Sequence, residues 1–127
     1  MTGLLLDTQV ALWFLSAPDR LGKQAKSLLS SQPIWLSSVS VWEIAIKQQL
    51  GKLRVDVDLP EALRASGIRE LKLSWEHANR YSDIGLTNKD PFDRALVGQA
   101  RSEGLQLVTA DRAILAAQLP FVVDARQ

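Results

Sequence analysis

Five carboxylates sit where carboxylates could act together: Asp7, Glu43, Asp90, Asp93 and Asp111. Asp7 closes a short apolar run, and Asp111 follows another just after its end. Glu43 lies early in a helical stretch, and Asp90 and Asp93 open a second one. Suppose Asp7, Glu43, Asp93 and Asp111 converge. Their charges would repel and raise one another's pKa, and a divalent cation resolves that conflict. The chain has no cysteine and one histidine, His77. The ligands are then oxygens, which favours Mg²⁺ or Mn²⁺. A cation held this way and keeping several waters suits phosphodiester chemistry. It lowers the pKa of a water, positions it in line, and offsets charge on the phosphate oxygens.

Each acid also has a purely local reading. Asp7 and Asp111 serve equally well as helix N-caps, because Asp accepts from free amide groups there. Asp90-Pro91-Phe92-Asp93 is a good helix start, and for Asp90 alone the cap is the better reading. Ser40-x-x-Glu43 matches a capping box, and Lys47 stands one turn beyond Glu43 for pairing. Glu43 strains the local account. Its helical neighbours Val39, Ile46 and Leu50, with Trp42 alongside, make that side apolar and predict an inward carboxylate. Such a group needs a partner charge, a proton or a metal.

The elements that would position these residues alternate along the chain. Five short apolar runs read as strands: Gly3–Leu6, Ile34–Leu36, Ile68–Leu73, Leu105–Val108 and Phe121–Val123. Between them lie helical patterns at Thr8–Leu15, Leu21–Ser30, Val39–Leu50, Leu59–Ala65, Glu76–Ser82, Pro91–Glu103 and Arg112–Ala117. Gly51 and Gly104 mark helix ends. This alternation predicts an α/β fold with a parallel sheet covered on both faces. In such sheets ligands bind beyond the carboxyl ends of the strands, where the strand order switches.

A chain of 127 residues, 46% hydrophobic, is expected to form one domain over residues 1–127. The missing cysteines exclude disulfides, thiolate metal sites and cysteine nucleophiles, and the lone histidine excludes paired-histidine mechanisms. A net charge of +1 makes the chain neither a basic arm nor an acidic tail. The opening MTGLLLDTQV lacks a basic start and is interrupted by Asp7, so neither a secretory leader nor a membrane span is expected. A cytoplasmic location is the expectation.

Four pieces in this order resemble the PIN domain nucleases, most closely the VapC-like toxins of bacterial toxin–antitoxin pairs. They are LLLDT at Leu4–Thr8, SSVSVWEIAIK at Ser37–Lys47 with GKL at Gly51–Leu53, KDPFDRALVGQA at Lys89–Ala100, and LVTAD at Leu107–Asp111. The resemblance implies a three-layer α/β/α fold with a central parallel sheet of four to five strands. It implies Mg²⁺- or Mn²⁺-dependent cleavage of RNA, inhibition by a cognate VapB-like antitoxin, and a homodimer. Carried over, the family's acids fall on Asp7, Glu43, Asp93 and Asp111, as catalytic residues and metal ligands. Thr8 and Thr109 stand where the family often has a supporting hydroxyl.

Other features divide between roles. Most of Trp13, Trp35, Trp42 and Trp75 are expected in a core or an interface. The all-round apolar stretch at Trp13-Phe14-Leu15 suggests a face covered by another chain. Arg94 and Arg112 either touch RNA phosphates or balance nearby acids. Lys47, Lys52, Arg54 and Lys89 are candidates for a phosphate-tracking rim, with solvated surface favoured for Arg54. His77 reads as structural. A non-catalytic interaction module of the same fold is the alternative function. A phosphotransfer domain is disfavoured because Gln9 stands where an aspartate phosphatase needs its second Asp.

Overall fold

The computed structural model describes residues 2–127. Five strands, β1 (Leu4–Leu6), β2 (Ile34–Ser37), β3 (Arg69–Leu71), β4 (Gln106–Thr109) and β5 (Val122–Asp124), form one sheet in the order β3-β2-β1-β4-β5. Every pairing is parallel. Among the described residues seven α-helices and a short 3-10 turn (Pro18–Arg20) join them: α1 (Thr8–Ser16), α2 (Lys23–Ser31), α3 (Ser38–Gln49), α4 (Leu59–Ala65), α5 (Trp75–Asn79), α6 (Pro91–Glu103) and α7 (Arg112–Ala116). The chain fills one half of the sheet outward from β1, then returns to place β4 and β5 on the other side. The switch in strand order therefore falls between β1 and β4.

Alternation of side chains across the central strand explains its unbroken apolar sequence. Leu4 and Leu6 pack in one core with Val10, Ile34, Leu36 and Ile44, while Leu5 packs in a second core with Leu96, Val97 and Leu107. All three leucines of β1 are fully buried, at about 2 kcal/mol each. Buried on both faces, the strand needs no polar alternation.

Helix ends follow local chemistry. Asp90 Oδ1 accepts from the amides of Phe92 (2.9 Å) and Asp93 (3.1 Å), and Pro91 opens α6. Gly104 ends that helix at φ 70°, a left-handed position where a side chain is disfavoured. The expected capping box at Ser40 is not formed. Ser37 caps α3 instead, accepting from the Val39 amide at 3.0 Å. Ser40 then lies within the helix, and its hydroxyl is free for a tertiary contact. α5 is shorter than its sequence pattern, ending at Asn79; turns and irregular chain fill most of the way to α6. Among the described residues no helix is long and apolar enough to cross a membrane.

Candidate active site

A cavity of about 370 Å³ opens beyond the carboxyl ends of β1 and β4, and Asp7, Glu43, Asp90, Asp93 and Asp111 all line it. The four acids singled out by spacing come from different elements. Asp7 follows β1, Glu43 projects from α3, Asp93 from the first turn of α6, and Asp111 caps α7.

Asp7 is buried and held through both oxygens. Oδ1 accepts from the Thr8 amide at 2.7 Å and Oδ2 from the Thr109 hydroxyl at 2.5 Å. The Thr109 oxygen in turn accepts from the Asp111 amide at 3.0 Å. One threonine thus links the ends of β1 and β4. The Thr8 hydroxyl is the equivalent link to α3, lying 2.7 Å from Glu43 Oε1 and 2.9 Å from Ser40 Oγ. Both threonines therefore support acids directly. The inward Glu43 is confirmed, and Lys47 Nζ lies 3.1 Å from its Oε2. Its neighbours differ from expectation: Trp42 and Leu50 are exposed, and the buried side consists of Val39, Ser40, Glu43 and Ile44.

The cap readings of Asp7, Asp90 and Asp111 hold as well, so cap and site are not exclusive. Asp111 Oδ1 accepts from the Ile114 amide at 3.0 Å while the side chain lines the cavity. A carboxylate has lone pairs enough for both tasks.

Burial and like charge disturb two of the acids, Asp7 and Asp93. Burial pushes the Asp7 carboxyl above its ordinary range; Asp111 and Glu43 add to this, while the bonds from Thr109 and Thr8 oppose it. Burial also lifts Asp93, to about 7, reinforced by Asp90, Asp111 and Asp7 and opposed by Asn88. An all-oxygen donor set in which Asp7 and Asp93 resist holding their negative charge fits a hard divalent cation. Among the described residues no three of these acids close into a ready-made cage. They line a shared space, as mutually repelling groups do.

Arg94 pairs with no acid among the described residues; carbonyl oxygens take its donors instead. Its Nε and Nη2 donate to the Tyr81 carbonyl at 3.1 and 2.6 Å, and Nη1 donates to the carbonyls of Leu86 (2.8 Å) and Asn88 (3.0 Å). The guanidinium also lies over the Tyr81 ring. It thus ties down the chain between α5 and α6, and from that chain Asn88 Nδ2 donates to Asp93 Oδ2 at 2.8 Å. Arg112 is exposed. Lys47 and Lys52 line the cavity, whereas Arg54 pairs with Asp56 on the surface, as favoured.

Trp13 is buried and Trp35 half-buried, whereas Trp42 and Trp75, 63% and 91% exposed, lie outside the core. The face of Trp13 is covered from within this chain, by the guanidinium groups of Arg20 and Arg126. His77 is structural: its Nδ1 accepts from the Ser74 amide, completing a capping box, and Nε2 lies 3.4 Å from Glu103. Sequence reasoning missed Arg126, which also lines the acidic cavity. Its only signal was a basic residue just after a predicted strand at the edge of the sheet.

Comparison with known proteins agrees with this architecture. The PIN domain family model matches residues 4–118. Ribonuclease VapC22 of Mycobacterium tuberculosis is 31% identical over 120 residues, covering 88% of this chain and 89% of that protein. VapBC2 from Rickettsia felis, solved with a DNA fragment from its promoter, superposes with a TM-score of 0.66 at 19% identity, over 97% of this chain and 96% of that one. A toxin–antitoxin complex from Klebsiella pneumoniae gives 0.65 at 17% identity, over 97% and 98%. At those identities the two structures speak for the fold.

Proposed function

The chain belongs to the PIN domain family, and from that premise we propose that it is a metal-dependent endoribonuclease, the toxin of a toxin–antitoxin pair. One observation carries the reading: four carboxylates from four separate elements line a single cavity at the switch in strand order. The 31% identity to a protein named as a ribonuclease supports RNA as the substrate.

In this reading Asp7, Glu43, Asp93 and Asp111 hold Mg²⁺ or Mn²⁺. The bound cation supplies a water of lowered pKa and positive charge for the phosphate oxygens. The chain's own contribution is orientation. Thr8 and Thr109 fix both oxygens of Asp7, Thr8 and Lys47 fix Glu43, and Asn88 fixes Asp93. Water is the nucleophile, attacking the phosphorus in line and leaving a 5′-phosphate and a 3′-hydroxyl. No covalent enzyme intermediate is expected, since the chain has no cysteine and its one histidine serves a cap rather than activating a serine.

The partners in this reading are RNA, a VapB-like antitoxin and a second copy of the chain, in the cytoplasm. An apolar groove of about 790 Å³ lies between α1, the chain at Leu53–Val57, and α4, with Leu12, Leu15 and Val55 among its lining. It suits the amphipathic segment of an antitoxin. The test is cleavage of end-labelled RNA with Mg²⁺ or Mn²⁺, with and without EDTA. Cleavage that survives EDTA and leaves a 2′,3′-cyclic phosphate refutes the reading.

A further inference from the structure

Five carboxylates line the cavity, and a phosphodiester is an anion. A bound divalent cation offsets charge at the reacting phosphate, and a cation of the protein at the cavity rim would receive the backbone beside it. Three basic residues line the same cavity: Lys47, Lys52 and Arg126. Lys47 is engaged with Glu43. Lys52 sits exposed beyond the end of α3 on a flexible stem.

Arg126 differs from both. Its Nη1 donates to the Ala110 carbonyl at 2.7 Å, the residue directly before Asp111, and its guanidinium lies 5.5 Å from the centre of the Trp13 ring. Its backbone is pinned too. The Arg126 amide donates to Asp124 Oδ1 at 2.9 Å, the buried Ala125 donates to Thr109 O at 2.8 Å and accepts from the Gly22 amide at 2.9 Å. Gly22 has no room for a Cβ, because the backbone of Arg126 and Gln127 lies against it. Yet Arg126 is exposed, and among the described residues no carboxylate lies within ion-pairing distance of it. A guanidinium has five N–H donors in a rigid fork. One is committed to Ala110, and that bond aims the rest.

The geometry points to Arg126 as the residue that takes a backbone phosphate of the RNA beside the carboxylate cavity, as a substrate-positioning residue. The inference rests on the ribonuclease reading. A fork held by a carbonyl and an aromatic face binds two phosphate oxygens with little further ordering. Lys52 then contributes attraction without register.

The test is anisotropy of a labelled single-stranded RNA with the full chain in EDTA, over a salt series, for wild type, Arg126→Gln, Arg126→Lys and Lys52→Ala. Gln keeps a polar N–H donor, though two bonds short of the atom that reaches the Ala110 carbonyl, and removes the charge; melting temperatures measured alongside separate binding from folding. Arg126→Gln is expected to bind about 10- to 100-fold more weakly, with the salt slope reduced by about 0.7. Arg126→Lys keeps the slope and loses part of the affinity, because a point charge replaces the fork. Lys52→Ala has the smaller effect on affinity. In cleavage assays Arg126→Gln raises KM more than it lowers kcat. Wild-type affinity and slope in Arg126→Gln, or no RNA binding by the wild type, overturns the inference. A wild type that binds RNA through Arg126 but never cleaves it with Mg²⁺ or Mn²⁺ overturns the ribonuclease reading and leaves the phosphate contact standing.

Discussion

Replacing Asp7 by Asn separates a helix cap from a metal ligand. The amide oxygen of Asn can still accept from the Thr8 amide, as Oδ1 of Asp7 does at 2.7 Å, and Asn is as good an N-cap as Asp. The other side of the group changes. Thr109 now donates to Oδ2; facing an amide NH₂ its hydroxyl must turn to accept, and its proton loses a partner. That costs about 1 kcal/mol. Against it stands a gain, because the variant no longer places a carboxylate where burial raises its pKa. The two roughly offset, and thermal melts without metal should shift by no more than about 4 °C in either direction. Catalysis is not compensated. Loss of one charged ligand removes several kcal/mol of charge stabilisation, and each 1.36 kcal/mol is tenfold. Single-turnover cleavage of a labelled RNA with Mg²⁺ should fall by about 10²- to 10³-fold. A variant that melts like the wild type and cleaves within about tenfold of it (1.4 kcal/mol) would refute the argument, since Asp7 would then be only a cap.

The carboxyl of Asp93 stands at about 7 in the fold against 3.8 in the free residue. The folded state therefore binds its proton more tightly, and metal-free stability falls as pH rises from about 4 to about 7. Asp93→Asn should flatten that slope and melt higher than wild type at pH 8 without metal, while losing cleavage; a lower melting temperature there counts against the repulsion argument. Mn²⁺ at about 100 times its Kd should add about 2.7 kcal/mol to the wild type. The increment should shrink in Asp7→Asn and Asp93→Asn, and an equal one in all three proteins places the cation elsewhere. Arg94→Ala removes donors to three loop carbonyls and should cost about 2 kcal/mol. Hydrogen exchange should speed up between Tyr81 and Asn88, and unchanged exchange there denies the guanidinium its role.

The strands and helices were legible because their signals are local: apolar runs bounded by Asp-Thr and Pro, Asp-Pro at a helix start, Gly at an end. Asp7, Asp93 and Asp111 were legible because each follows a strand or opens a helix, whereas Glu43, inside α3, was read from its inward side and from the family resemblance. What was not legible depends on partners remote in sequence. The Ser40-x-x-Glu43 pattern is a sound capping box, but Ser37 takes the cap and leaves Ser40 and Glu43 to Thr8, 32 and 35 residues away. Carbonyl acceptors have no signature in sequence, so the anchoring role of Arg94 could not be read. Arg126 lies far along the chain from the other residues of the site except Asp111, and only the pairing of β5 with β4 carries it there. Trp13 looked like an outward face because the groups that cover it, Arg20 and Arg126, are polar.

The bond from Thr109 to Asp7 spans 102 residues, and this has a consequence for the cell that makes the protein. At about 5–20 residues per second, a ribosome takes about 5–20 s to travel from one codon to the other. Throughout that time β1 has no β4 beside it, Asp111 does not yet exist, and the central strand lacks one of its two neighbours. In the proposed ribonuclease reading the acidic cavity is therefore incomplete until β4 and Asp111 have been made.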